Sequence, residues 1–294
     1  MQNRTLWTIV IVLVVLGLLA CCCIGLVMAA GMATYRTTTG VTEFRTVPGI
    51  PILPGVTTVR GTRQVVEREF PLGDVDRVHL TTSADLTIRL GTEASIHIEA
   101  EENIIDLVEW EEHNRSLIIS MRPNIRIIRH EPILITLTVP NLVAVVSAGS
   151  GNIDAPDMLG KIVTIHLMGS GDINVDYIEA QTVDIASRGS GDIRVLGVEA
   201  DRIDVNMMGS GSVHPGDGVV NTQEITITGS GDYMAENLES AQVTANLMGS
   251  GSARVRVIEE LSARLFGSGD LEYIGSPTMD ASAVGSGRIR QVER

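Results

Sequence analysis

The sequence predicts an all-β fold: a parallel β-helix, or β-solenoid, of about 18–20 residues per coil, preceded by one transmembrane helix. Three observations carry this. The tripeptide Gly-Ser-Gly recurs eight times at near-constant spacing. Apolar residues fall into columns when the repeats are aligned. A run of 28 residues near the N-terminus, Leu6 to Ala33, contains no charged side chain.

The elements follow in chain order. Residues 1–5 are a short tail carrying Arg4. Residues 6–33, at 1.5 Å rise per residue, are long enough to cross a bilayer as a helix. Trp7 and Tyr35 flank the run, where amphipathic rings favour the membrane interface. An uncleaved signal anchor fits this length. A cleaved signal peptide would carry a shorter apolar stretch, and Leu18-Leu19-Ala20-Cys21 also reads as a lipoprotein processing site. The anchor reading puts the rest of the chain on the extracytoplasmic side of the cell membrane as a single-pass protein. Cys21, Cys22 and Cys23 are the only cysteines, so the remainder holds no disulfide framework. Residues 34–66 are rich in Thr, Pro and Gly and read as a stalk, part of which could supply the first strand of the domain. Residues 67–294 form the solenoid.

Within that domain the repeats begin at Gly149, Gly169, Gly189, Gly209, Gly229, Gly249, Gly267 and Gly285. Their second glycines are Gly151, Gly171, Gly191, Gly211, Gly231, Gly251, Gly269 and Gly287. The step is 20 residues five times and then 18 twice, a period that signals stacked structural repeats. Four residues after the first glycine stand Ile153, Ile173, Ile193, Val213, Tyr233, Ala253, Leu271 and Ile289. Two, four and six residues before it the columns are again mostly Val, Ile, Leu, Met and Ala. Alternation of this kind on both sides of the glycines means strands with one buried face. Each repeat is therefore a coil with a Gly-Ser-Gly corner, stacked on its neighbour at about 4.8 Å. Glycine suits such a corner because it reaches positive φ freely and lets stacked backbones approach. Right-handed coiling follows from the general chirality of parallel crossovers. Residues 67–140 read as earlier, degenerate coils, with Ser83-Ala84-Asp85-Leu86 in place of Ser-Gly-Asp-Ile. Residues 101–114 break the pattern as a loop or short helix. The chain ends Gly-Arg-Ile-Arg-Gln-Val-Glu-Arg, and charge at an open solenoid end discourages end-to-end pairing.

The segment Val139-Pro-Asn-Leu-Val-Ala-Val-Val-Ser-Ala-Gly-Ser-Gly-Asn-Ile153, followed by serial Gly-Ser-Gly-Asp-Ile units, resembles the bacterial head-GIN domain family of putative auto-transporter adhesins. The resemblance covers about residues 67–290. It implies a parallel β-helix, exported or membrane-attached, with no established enzymatic activity. No segment resembles an auto-transporter's membrane barrel.

Composition narrows the function. The net charge of −14 disfavours nucleic-acid binding, which needs a basic face. Three residues after the first glycine stand Asn152, Asp172, Asp192, Ser212, Asp232, Ser252, Asp270 and Arg288. Corner carboxylates of this kind accept backbone N–H bonds. Calcium binding and a glycan-cleaving carboxylate cluster are the competing readings. The six histidines are dispersed. No catalytic, cofactor-binding or metal residue is expected, and no enzyme. Immediately before the corner, Met168, Met208, Met248 and Phe266, interrupted by Arg188 and Thr228, form a partly apolar interaction stripe if alternation sends them outward; a bend at the glycines would tuck them in. The expected function is adhesion or cell-envelope interaction through a surface protein or glycan partner, with self-association along the rod. The alternative is an envelope sensor or regulatory accessory coupled to a partner through its membrane helix.

Overall fold

The computed structural model describes residues 55–293. The transmembrane segment expected at 6–33, with the tail before it and residues 34–54 of the expected stalk, lies outside these residues. Among the described residues no helix is long and apolar enough to cross a membrane.

The strands of the first half are β1 (Thr57–Arg60), β2 (Val65–Pro71), β3 (Arg77–Leu80), β4 (Asp85–Leu90), β5 (Ser95–Glu101), β6 (Val108–His113), β7 (Ser116–Met121), β8 (Ile125–Ile128) and β9 (Leu134–Val139). Then come β10 (Ala144–Ser147), β11 (Ile153–Ala155), β12 (Met158–Leu167), β13 (Ile173–Ser187), β14 (Ile193–Met207), β15 (Val213–Gly229), β16 (Tyr233–Gly249), β17 (Ala253–Gly267), β18 (Leu271–Ile274), β19 (Thr278–Gly285) and β20 (Ile289–Gln291). The architecture is an all-β parallel solenoid.

From β10 to β16 the coils stack in parallel with a constant register. Ile173 pairs with Ile193, Ile178 with Val198 and Ile185 with Val205. The ladder between β13 and β14 skips Asp176 and Gln181, so each coil has three straight stretches and bends between them. The stretch that joins the strand after one corner to the strand before the next is thus itself strand. It buries Met158, Ile178, Val198 and Leu238, and also Ala200, Val220 and Ser240 two positions on. Every inward side chain rests on its counterpart one coil away, and each full burial of a Val, Ile or Leu contributes about 1.5–3 kcal/mol. In the first 18-residue coil the register shifts between Ala235 and Gln242. Val257 is buried there and Ile258, nine residues after Gly249 as buried Ile178 is after Gly169, is exposed.

The N-terminal half departs from simple coil order. The coil of β3 and β4 lies directly beneath β10 and β11, as expected from Ser83-Ala84-Asp85-Leu86: Leu86 pairs with Ile153. The coil of β7 and β9, later in sequence, lies on the other side of it. Spatial order is therefore permuted relative to chain order. Antiparallel strands close this end: β5 on β9, β2 on β5, and β6 on β7. Phe70 of β2 and Trp110 of β6 meet with ring centroids 4.8 Å apart. Residues 101–114, expected as a loop or helix, contain one 3₁₀ turn at Ile105–Leu107 and then β6. The expected stalk is already strand at β1, which pairs with β8, and again from Val65; the folded unit thus starts about ten residues before position 67.

Candidate functional site: the corner column and the face beside it

The corner glycines are required by close approach. A Cβ at Gly169 would lie 1.7 Å from the carbonyl oxygen of Gly149, and one at Gly171 would lie 2.1 Å from that of Gly151. The same overlap recurs up the stack. Among the corner glycines, positive φ is confined to the first glycine of the later corners, beginning with Gly229 at 140° and Gly249 at 137°. The serine N–H donates to the first-glycine carbonyl one coil back, as in Ser170 to Gly149 at 3.1 Å and Ser250 to Gly229 at 2.9 Å.

The column after the corner is a side-chain ladder. Asp85 accepts the N–H of Asn152 at 2.8 Å, and Asn152 accepts that of Asp172 at 3.0 Å. Asp172 accepts from Asp192, and Asp192 from Ser212, both at 2.9 Å. Beyond Ser212 a second run of the same kind follows, in which Asp232, Ser252 and Asp270 accept the N–H groups of Ser252, Asp270 and Arg288. The second oxygens of Asp172 and Asp192 bind Arg194 at 3.2 and 2.6 Å. One oxygen of each Asp in the ladder thus fixes the next coil. Among the described residues no cluster of three or more His, Cys, Asp or Glu is placed to hold a metal.

On the other side of the corner the strand bearing the stripe faces solvent. Met168 is 48%, Met208 52%, Met248 46% and Phe266 54% exposed, so alternation persists up to the glycine and nothing tucks these side chains in. Thr228, Met248, Phe266 and Val284 stack in register. Two and four residues before the stripe, the same outward face is polar. His166 bonds Asp184 at 3.1 Å. Arg202 spans Asp204, at 2.9 Å, and Glu224. Asp184, Arg202, Asp204, Asn206, Glu224 and Thr226 line a shallow hollow of about 470 Å³. His79 lies in the column of His166; burial, and then the His166 charge, push its imidazole pKa down. An apolar line beside a charged strip suits surface recognition more than chemistry on an enclosed substrate.

Two polar sites inside the domain have no counterpart in the sequence reading. Tyr233 is fully buried and donates its hydroxyl to Gln223 Oε1 at 2.7 Å, while Gln223 Nε2 donates to Ser240 Oγ. Burial raises the Tyr233 pKa. The only signal was that Tyr233 and Gln223 occupy columns otherwise filled mostly by aliphatic residues. Near the capped end, Glu101 is buried and accepts the N–H groups of Arg63 and Glu131, each at 2.7 Å. The Arg63 N–H foremost, then those of Glu131 and Thr62, hold its carboxyl below the usual range against the opposing effect of burial.

A family model described as putative auto-transporter adhesin, head GIN domain, matches residues 74–277. No curated protein matches the chain. A putative adhesin from Parabacteroides distasonis is 21% identical, with a TM-score of 0.72 over 80% of this chain and 100% of the other. A putative adhesin from Parabacteroides merdae is 19% identical, with a TM-score of 0.74 over 80% and 99%. A protein from Parabacteroides distasonis described as a putative lipid binding protein is 22% identical, with a TM-score of 0.70 over 80% and 100%. At these identities the likeness is one of fold.

Proposed function

This chain belongs to the putative auto-transporter adhesin, head GIN domain, family, and from that premise we propose that it is a non-enzymatic adhesion or cell-envelope interaction module. In this reading residues 6–33 anchor it in the cell membrane and the solenoid stands on the extracytoplasmic side. The observation that carries the binding role is the exposed set Met168, Met208, Met248 and Phe266, which share one column before the corner with Arg188 and Thr228 between them. Thioether and aromatic side chains held in one column, with a guanidinium among them, offer adaptable apolar and charged contact without a pocket. The partner is a surface protein or glycan.

Trypsin treatment of intact cells tests the placement. Arg36 and Arg45 precede the folded unit, so cleavage there is expected to release the domain into the medium. Protection until the membrane is broken would remove the adhesion reading. The stripe is tested with the Met208→Ser/Met248→Ser variant. Because both residues are about half exposed, stability is expected to change by less than about 0.5 kcal/mol, while adherence of cells displaying the variant falls at least severalfold. Unchanged adherence would move the binding role off this face.

A further inference from the structure

The two ends of the solenoid are built differently. At one end β5 runs antiparallel on β9, and β2 covers β5. At the other, β19 pairs only with β17, and among the described residues nothing lies on its far side. The inward columns show the difference. Leu261, Ala263 and Leu265 are buried, whereas Met279, Ala281 and Ala283, one coil further in the same columns, are all exposed. An eight-residue strand with a free backbone edge and an apolar face is a pairing template.

We propose that β19 is a self-association edge: two copies of this chain join end to end by antiparallel pairing of their β19 strands. The occupant follows from the shape of the surface. What fits on a coil throughout this molecule is another coil of the same chain; the cap strand at the opposite end, β2, pairs only with β5, but it carries Glu67, Arg68 and Glu69 and ends in Pro71, the charges and proline that guard an edge. The free coil surface left is the same end of a second copy, which makes the contact isologous and closed. Antiparallel addition to the end of the ladder is how the molecule already finishes its other end. Side-chain alternation restricts the register, since inward residues must oppose inward residues. With Ala281 opposite Ala281 of the second copy, Met279 covers Ala283, and Asp280 faces Ser282 instead of another Asp280. No like charges meet.

The terminal charges do not block this edge. Arg290 is held by Glu272, with Asp270 at 4.0 Å, and Asp280 is held by Arg264 at 2.7 Å. The charges of Arg290 and Asp280 are thus engaged within coil pairs, and β19 carries none of the lysines or bulges that guard edge strands.

Sedimentation velocity on the full chain in mild detergent, from micromolar to near-millimolar protein, tests the pairing. The parent is expected to dimerise, and the inward charge of Ala281→Arg to weaken the dimer at least tenfold with an unchanged circular dichroism spectrum. Met279→Lys is the second variant should Ala281→Arg fail to fold. Met208→Ser/Met248→Ser is expected to dimerise like the parent. A parent that stays monomeric overturns the proposal. So does a dimer that survives both edge variants, or one lost on changing the stripe instead.

Discussion

A methyl group added at Gly191 would sit 2.1 Å from the carbonyl oxygen of Gly171. Neither atom can move alone, because the carbonyl belongs to a backbone that is itself stacked on another. Gly191→Ala is therefore expected to cost about 1–3 kcal/mol, the range for overpacking that forces backbone shifts. Ser190, exposed between the two glycines, should tolerate alanine within about 0.5 kcal/mol. Urea denaturation of the two variants checks the contrast; equal losses would mean that the corner is held by its hydroxyl. The need for glycine is legible in the sequence, but its cause is not. Spacing alone cannot tell positive φ from close approach, because that depends on how far apart the coils stand.

Individual elements carry the polar interior. Gln223 and Tyr233 interrupt columns otherwise filled mostly by aliphatic side chains, and the fold joins them through one buried hydrogen bond and on to Ser240. Removing the hydroxyl leaves the Gln223 carbonyl oxygen without its donor in a site that water does not reach. Tyr233→Phe should lower stability by about 1–3 kcal/mol, the cost of an unsatisfied buried group. Tyr233→Phe combined with Gln223→Leu should recover part of that, and thermal melts of the single and double variants decide it. Such a network was not legible, since each residue alone looked like a lapse in the pattern. Glu101 is the corresponding group near the capped end. Its folded pKa is depressed, chiefly by the Arg63 N–H, so its stabilisation is present above the unfolded carboxyl pKa and fades as pH falls through the folded value. The melting gap between the parent and Glu101→Gln should be wide at neutral pH and narrow in acid below the ordinary glutamate range. A gap that stays constant would mean that the carboxylate's charge is not what holds Arg63 and Glu131. The permuted coil order was equally hidden. Residues 77–90 and 116–139 both alternate as coils should, and alternation says which face is buried, not which coil lies next to which.

At the scale of the molecule, stability is carried by repeated neighbour contacts, so whole coils should be removable units. Deleting residues 190–209 joins Gly189 to Ser210 and restores a Gly-Ser-Gly corner. The new neighbours stay in column: Ile173 would pair with Val213, as each now pairs with Ile193. Asp172 would offer its oxygen to the N–H of Ser212, as Asp192 does now. The shortened chain is expected to fold and melt in one cooperative transition, with a smaller urea m-value because less surface is exposed on unfolding. Deleting only residues 190–199 removes half a coil. It would leave Ile203 over Ile173 but set the corner Gly209-Ser210-Gly211 against the strand residues 179–181 and put outward Met208 over buried Ile178, and is expected to abolish folding. If both deletions fold equally well, the coil is not the unit of this structure. If both fail, the contacts that matter are longer in range than neighbour stacking. The 18-residue coils already favour the first outcome, since the chain loses two residues there and recovers its register through a shift between Ala235 and Gln242 without disturbing the glycine corner at Gly267.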